Sequence, residues 1–142
     1  MNPPNGTPVT LTATAPRPAA RVWELYVSPE HVLQWNTASP DWHCPHAHND
    51  VRVGGSFHYR MEEKNGLRGF DFTGEYTEVT APDLLTYRMP GGRRVTLTFD
   101  EVDGTTTITQ TFEADGKHPL DMQRRSWQAI LDNFARYVEQ RG

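Results

Sequence analysis

Residues 56–76 read SFHYRMEEKNGLRGFDFTGEY, and this stretch sets the architecture. Phe57, Tyr59 and Met61 alternate with His58, Arg60 and Glu62, the period of a strand with one apolar face. Lys64-Asn65-Gly66 supplies the Asn-Gly signal of a tight hairpin, because both residues tolerate a positive φ. On the return strand Phe70, Phe72 and Tyr76 share one face, with Gly74 between them. A hairpin that is apolar on one side must lay that side against another layer.

Reading outward from the hairpin supplies that layer. Downstream, Pro82-Asp83 turns the chain into Leu84-Leu85-Thr86-Tyr87, and Pro90-Gly91-Gly92 turns it into a strand carrying Val95, Leu97 and Phe99. Asp103-Gly104 is a second hairpin signal, leading to a strand with Ile108, Gln110 and Phe112 on one side. The period then changes. Leu120, Trp127, Ile130, Leu131, Phe134 and Val138 recur at three- and four-residue steps between Pro119 and Gln140, which predicts one long helix. Asp121 near its start and Arg136 and Arg141 near its end suit the helix dipole.

Upstream, Val9, Leu11, Ala13 and Ala15 alternate with threonines as a first strand. A short helix over about residues 17–26 follows, carrying Val22, Trp23, Leu25 and Tyr26, and then a second with Ser28 as N-cap and Pro29 in its first turn. Residues 36–53 show no steady period and read as loop and irregular strand, closed by the turn glycines Gly54-Gly55. The fold class is therefore α+β: a curved antiparallel sheet of about six or seven strands wrapped around a long C-terminal helix, with the first strand pairing with the last.

Composition bounds the function. The chain has 142 residues, 36% hydrophobic and 11% aromatic, which suits a single domain over 1–142 with an ordered core at about 7–140. Fourteen Lys and Arg against 18 Asp and Glu give a net charge of -4, which argues against a nucleic-acid binder. No apolar run reaches the roughly 18 residues of a membrane span, so the expectation is no membrane span and a cytoplasmic location. Cys44 is the only cysteine and forms no intramolecular disulfide.

The element order, together with Val22-Trp23, Ser28-Pro29-Glu30 through Trp35, the segment Asp50 to Phe57, and Gly74-Glu75-Tyr76-Thr77-Glu78-Val79, resembles the START-like, or polyketide cyclase and Bet v 1-like, helix-grip superfamily. Within it the chain is similar to the subfamily related to the C-terminal domain of the Hsp90 ATPase activator. The resemblance runs from about Thr10 to Glu139. Ser126-Trp127 through Phe134 matches a helix pattern of small bacterial members, with Ser126 where glycine is commoner. The resemblance implies a hollow between sheet and helix that takes a hydrophobic small molecule, open near the short helices and loops. Members bind lipids or hormones, cyclise polyketides or act on a chaperone, and fold alone does not choose among them.

Four constellations carry candidate chemistry. Trp35, Trp42, Phe57, Tyr59, Met61 and Phe70, with Phe72, Tyr87, Phe99, Trp127, Ile130 and Leu131, fall on one interior surface, as a filled core or as the lining of a ligand cavity. His43, Cys44, His46 and His48 lie close together, and on a regular strand Cys44 would share a side with His46 and His48; Asp50 or His31 would have to complete a zinc site. A single cluster without a second ligand couplet favours no metal and no cofactor. A cyclase- or hydrolase-like site would use His43 as base, with Asp41 nearby and Tyr59 or Tyr87 as donor. Asp71, between Phe70 and Phe72, faces outward toward Arg60 or Arg68. Cys44 has no catalytic partner pattern and reads as a small buried hydrophobe. The leading expectation is binding of a hydrophobic or amphipathic small molecule; the alternatives are an enzyme using the same cavity and a chaperone co-regulator. An open sheet edge also leaves room for a homodimer.

Overall fold

A computed structural model describes residues 2–142. The chain runs β1 (Thr7–Ala15), α1 (Ala19–Val27), α2 (Pro29–Trp35), β2 (Trp42–Asn49), β3 (Ser56–Glu63), β4 (Gly69–Thr80), β5 (Leu84–Arg88), β6 (Arg94–Val102), β7 (Thr105–Ala114) and α3 (Leu120–Arg141). The strands form one seven-stranded antiparallel sheet in the order β1-β7-β6-β5-β4-β3-β2. It curves into a half-barrel around α3. Thus β2 to β7 form a meander, and β1 joins its far side by pairing with β7, placing Val9 opposite Phe112 and Leu11 opposite Gln110.

Alternation decides which face is covered. Phe57, Tyr59 and Met61 of β3, Leu85 and Tyr87 of β5, Val95, Leu97 and Phe99 of β6, and Ile108 and Phe112 of β7 are all buried. Leu131, Phe134 and Val138 form the buried stripe of α3, at the spacing of one helix face. Pro29 holds the first position of α2 as expected, but the Ser28 hydroxyl makes no capping bond; the Ser28 carbonyl instead accepts from the His31 and Val32 N–H groups.

The segment read as irregular contains a true edge strand. In β2 the register against β3 shifts between His43 and His46, so Pro45 falls within a bulge. A residue without an N–H is tolerated there because a bulge leaves one residue outside the ladder. The bulge also overturns the expected grouping of side chains. Cys44 is buried, 3% exposed, whereas His46 and His48 face solvent. The extra residue has sent the thiol and the imidazoles to opposite faces. No helix among the described residues is long and apolar enough to cross a membrane.

Candidate functional site

The sheet and the helices do not close completely on one another. A cavity of about 190 Å³ lies between them, walled by β3, β4 and β5, by Gln110 of β7, by α3, and by the ends of α1 and α2. Trp35, Phe57, Tyr59, Met61, Phe70, Phe72, Tyr87, Trp127, Ile130 and Leu131 line it. Phe70 and Ser126 are its exposed lining residues, so the mouth lies between β4 and α3, while Trp35 and Asn36 at the short helices are covered.

Two members of the aromatic set lie elsewhere. Phe99 packs against Trp23 and Tyr26, with ring centroids 5.5 and 5.8 Å away, in the filled part of the core. Trp42 sits on the edge strand beside Phe70, at 5.9 Å. Filled core and lined hollow therefore coexist: β6 and β7 meet α1 without a gap, and β3 to β5 stand off from α3.

Hydrogen bonds fix the roof. Trp35 Nε1 donates to the Leu25 carbonyl at 2.9 Å, and Asn133 Nδ2 of α3 donates to the Trp35 carbonyl at 2.7 Å. Asn49 of β2 joins sheet to helix, donating to the Val27 carbonyl at 2.7 Å and accepting from the Tyr76 hydroxyl at 2.6 Å. On the wall, aromatic pairs meet edge to face, with interplanar angles of 80° for Phe57–Tyr87 and 83° for Phe72–Trp127, an arrangement that suits ring quadrupoles. Trp127 in turn lies flat on Phe112, centroids 4.3 Å apart.

The lining contains no Asp, Glu, Lys, Arg or His. Its polar members beyond the tyrosines are Asn36, Gln110 and Ser126. Gln110 and Asn36 are each 5% exposed. Among the described residues their side-chain amides, and the hydroxyls of Tyr26 and Tyr87, have no hydrogen-bond partner, yet no fully enclosed side-chain polar atom is left unpartnered. These groups therefore open onto the hollow. An amide kept dry and unpartnered costs about 1–3 kcal/mol, so these amides favour a hydrogen-bonding partner inside the hollow.

Burial raises the phenols. Desolvation pushes Tyr76 up to about 12 against the lowering hydrogen bonds of Tyr59 and Asn49, and it holds Tyr26, Tyr59 and Tyr87 well above the usual range, with neighbouring tyrosines adding to it. Such phenols keep their protons near neutrality. No residue of the lining can serve as a general base near neutrality.

The other candidates lie outside. His43 is on β2 with Nε2 3.9 Å from Glu62 Oε2, and it does not line the cavity. The Asp41 carbonyl accepts from the Lys64 N–H. Asp71 is solvent-facing as expected, with Oδ1 2.8 Å from His58 Nε2 and Oδ2 3.2 Å from Arg60 Nη1, while Arg68 pairs with Glu63 instead. His31 and Tyr137 share a 2.7 Å hydrogen bond, and Asp50 pairs with Arg52 at 2.9 Å. Among the described residues no group of three or more His, Cys, Asp or Glu is arranged to hold a metal ion.

Tyr26, Asn36, Tyr76, Leu85, Gln110, Ser126 and Phe134 also line the cavity, beyond the residues that the pattern of the sequence singles out. Alternation had already placed Tyr76 and Gln110 on the inward face. Tyr26 and Asn36 come from the short helices, whose docking has no periodic signature.

Comparison with known proteins places the chain. The family model described as Activator of Hsp90 ATPase homolog 1-like protein matches residues 16–139. The solution structure of an AHSA1-like protein from Aeromonas hydrophila is 40% identical, covers 94% of each chain and superposes with a TM-score of 0.86. A protein from Cytophaga hutchinsonii is 37% identical over 94% of this chain and 92% of its own, with a TM-score of 0.81. A Nitrosomonas europaea protein at 18% identity shares the fold, with a TM-score of 0.83 over 96% and 97% of the two chains. Among curated proteins, none matches.

Proposed function

Because this chain belongs to the Activator of Hsp90 ATPase homolog 1-like family, we propose that it binds a hydrophobic or amphipathic small molecule in the hollow between its sheet and α3. The cavity itself carries the proposal: aromatic and aliphatic walls, a few inward polar tips and an open mouth are what a small-ligand site requires. Native mass spectrometry of the protein purified from its own host, with identification of the co-purifying molecule, tests it. Protein that arrives unliganded, and whose cavity resonances do not move with any of a panel of apolar compounds, would refute it.

The family description supports a second reading, contact with an Hsp90-type chaperone. Leu67 and Phe70, 82% and 52% exposed on and beside the β3–β4 turn, offer an apolar surface for it. A purified chaperone that fails to bind at micromolar concentration excludes this reading, whereas binding that is lost in Leu67→Asp supports it. A cyclase- or hydrolase-like reaction has less support, since it needs a base facing the cavity and the lining offers phenols and amides. His43→Ala is expected to leave ligand affinity unchanged.

A further inference from the structure

The ligand's chemistry is narrowed by the lining, and the inference below rests on the binding reading just given. Across β1, β7, β6 and β5 one inward row runs Leu11, Gln110, Leu97, Leu85 in direct register. Three leucines and one glutamine share the row. Gln110 is as buried as its neighbours, 5% exposed against 3% for Leu11, and its amide opens onto the cavity without a partner. A fourth leucine would complete the row with no polar group to satisfy, so the amide is conspicuous for a group that a protein interior normally pairs.

We infer that the cavity selects an uncharged, ring-bearing molecule with a carbonyl or similar acceptor, docks that acceptor on the Gln110 amide, and rejects the carboxylate of the same shape. Three observations converge. The unpartnered groups supply donors to the hollow, the NH₂ of each of the two amides and the Tyr26 and Tyr87 hydroxyls. The walls present ring edges and faces at steep angles, so a flat ring finds a complementary slot. No cation lines the hollow to pay for a buried negative charge. Size sets the scale: a dry cavity of about 150 Å³ takes benzene, so 190 Å³ takes one ring with a short substituent.

The test uses three probes of nearly one shape: acetophenone, α-methylstyrene, in which CH₂ replaces the carbonyl oxygen, and benzoate. Each is titrated at pH 7 into ¹⁵N-labelled protein and followed by NMR. Acetophenone is expected to bind about tenfold tighter than α-methylstyrene and to shift the Gln110 side-chain NH₂ signal. Benzoate is expected to leave the cavity signals in place at concentrations where the ketone saturates. In Gln110→Met, close in shape but without the amide, the ketone should lose its preference over the alkene; Gln110→Leu gives the same readout should the methionine variant fold poorly. Equal binding of ketone and alkene by the wild type, binding of benzoate comparable to the ketone, or a ketone preference that survives loss of the amide would each overturn the inference while leaving the cavity a binding site. If neither neutral probe binds, the inference falls, while the binding reading stands or falls separately on native mass spectrometry and the panel of apolar compounds.

Discussion

The ring of Phe57 on β3 occupies the space that a side chain at Gly74, its register partner on β4, would fill. A Cβ at position 74 would overlap that ring and come within 3.1 Å of Tyr87 Cδ2. The glycine is thus what lets the Phe57 ring lie over position 74, with centroids 4.8–5.6 Å from those of Tyr59, Phe72, Tyr76 and Tyr87.

Gly74→Ala is therefore expected to destabilise the fold by about 1–3 kcal/mol in urea unfolding, the usual cost of overpacking a core, and to push the Phe57 ring into the cavity. In a Phe57→Leu background the same substitution should cost much less. An equal cost in both backgrounds would show that the two positions are not coupled.

Alkaline titration follows from the buried phenols. Tyr26, Tyr59, Tyr76 and Tyr87 all have raised pKa values in the fold, so their stabilising contribution is complete below the ordinary phenol value near 10 and is lost as pH rises through the folded values, about 12 for Tyr76. In Tyr137→Phe, which leaves only these four of the five tyrosines, phenolate absorbance should appear together with loss of the circular dichroism signal. Phenolate forming near pH 10 in a protein that stays folded would contradict the placement of these rings.

Cys44 offers a simple probe of the β2 bulge. Burial pushes its thiol up to about 11, and the thiol donates to the His46 carbonyl at 3.4 Å. Ellman's reagent at pH 8 should react with it at least about 100-fold more slowly than with the unfolded chain, with the rate rising in step with denaturant-induced opening. Fast labelling of the native protein would place the thiol on the outer face with the histidines.

The start of α3 depends on a clasp. Gln123 is 7% exposed; its Oε1 accepts from the Asp115 N–H at 2.9 Å, and its Nε2 donates to the carbonyls of Asp115 and His118 at 3.1 and 2.9 Å. Gln123→Ala should cost about 1–3 kcal/mol, because it strands buried backbone groups. The Asp115 carboxyl adds a pH limb: burial alone would raise it, but the Lys117 N–H and the His118 imidazole outweigh burial and hold it below the ordinary value. Its contribution is present above the unfolded pKa near 3.9 and is lost as pH falls through the lower folded value. Asp115→Asn should flatten the stability profile below about pH 4, and a profile identical to the wild type would show that the Asp115 carboxyl contributes no pH dependence.

Much of the fold is legible because it rests on local rules. Phe57, Tyr59 and Met61 reveal their face by alternation, and Leu131, Phe134 and Val138 by helical spacing, whatever they pack against. The hollow is a different kind of fact. Nothing in the pattern of Phe99 differs from that of Tyr87, yet one ring is covered by Trp23 and Tyr26 and the other looks into open space. That difference is set by how far α1, α2 and α3 stand from the sheet, which depends on long-range hydrogen bonds such as Asn133 to Trp35 and Asn49 to Val27. The strand β2 was obscured for a related reason: Pro45 breaks the period, and only the pairing with β3 shows that the break is a bulge within a strand.

The pairing of β1 with β7 also governs the order in which the molecule can be completed. Ala13 meets Ile108, so on a growing chain the first strand must wait for nearly a hundred further residues, roughly 5–20 s of translation at 5–20 residues per second. Through that interval the β3–β4 hairpin can form on its own, but its aromatic face has no cover, because Trp127, Ile130 and Leu131 are made last. The half-made chain thus exposes an aromatic sheet face and open strand edges, and the residues that line the hollow in the finished protein are the ones that most need cover while it is being made.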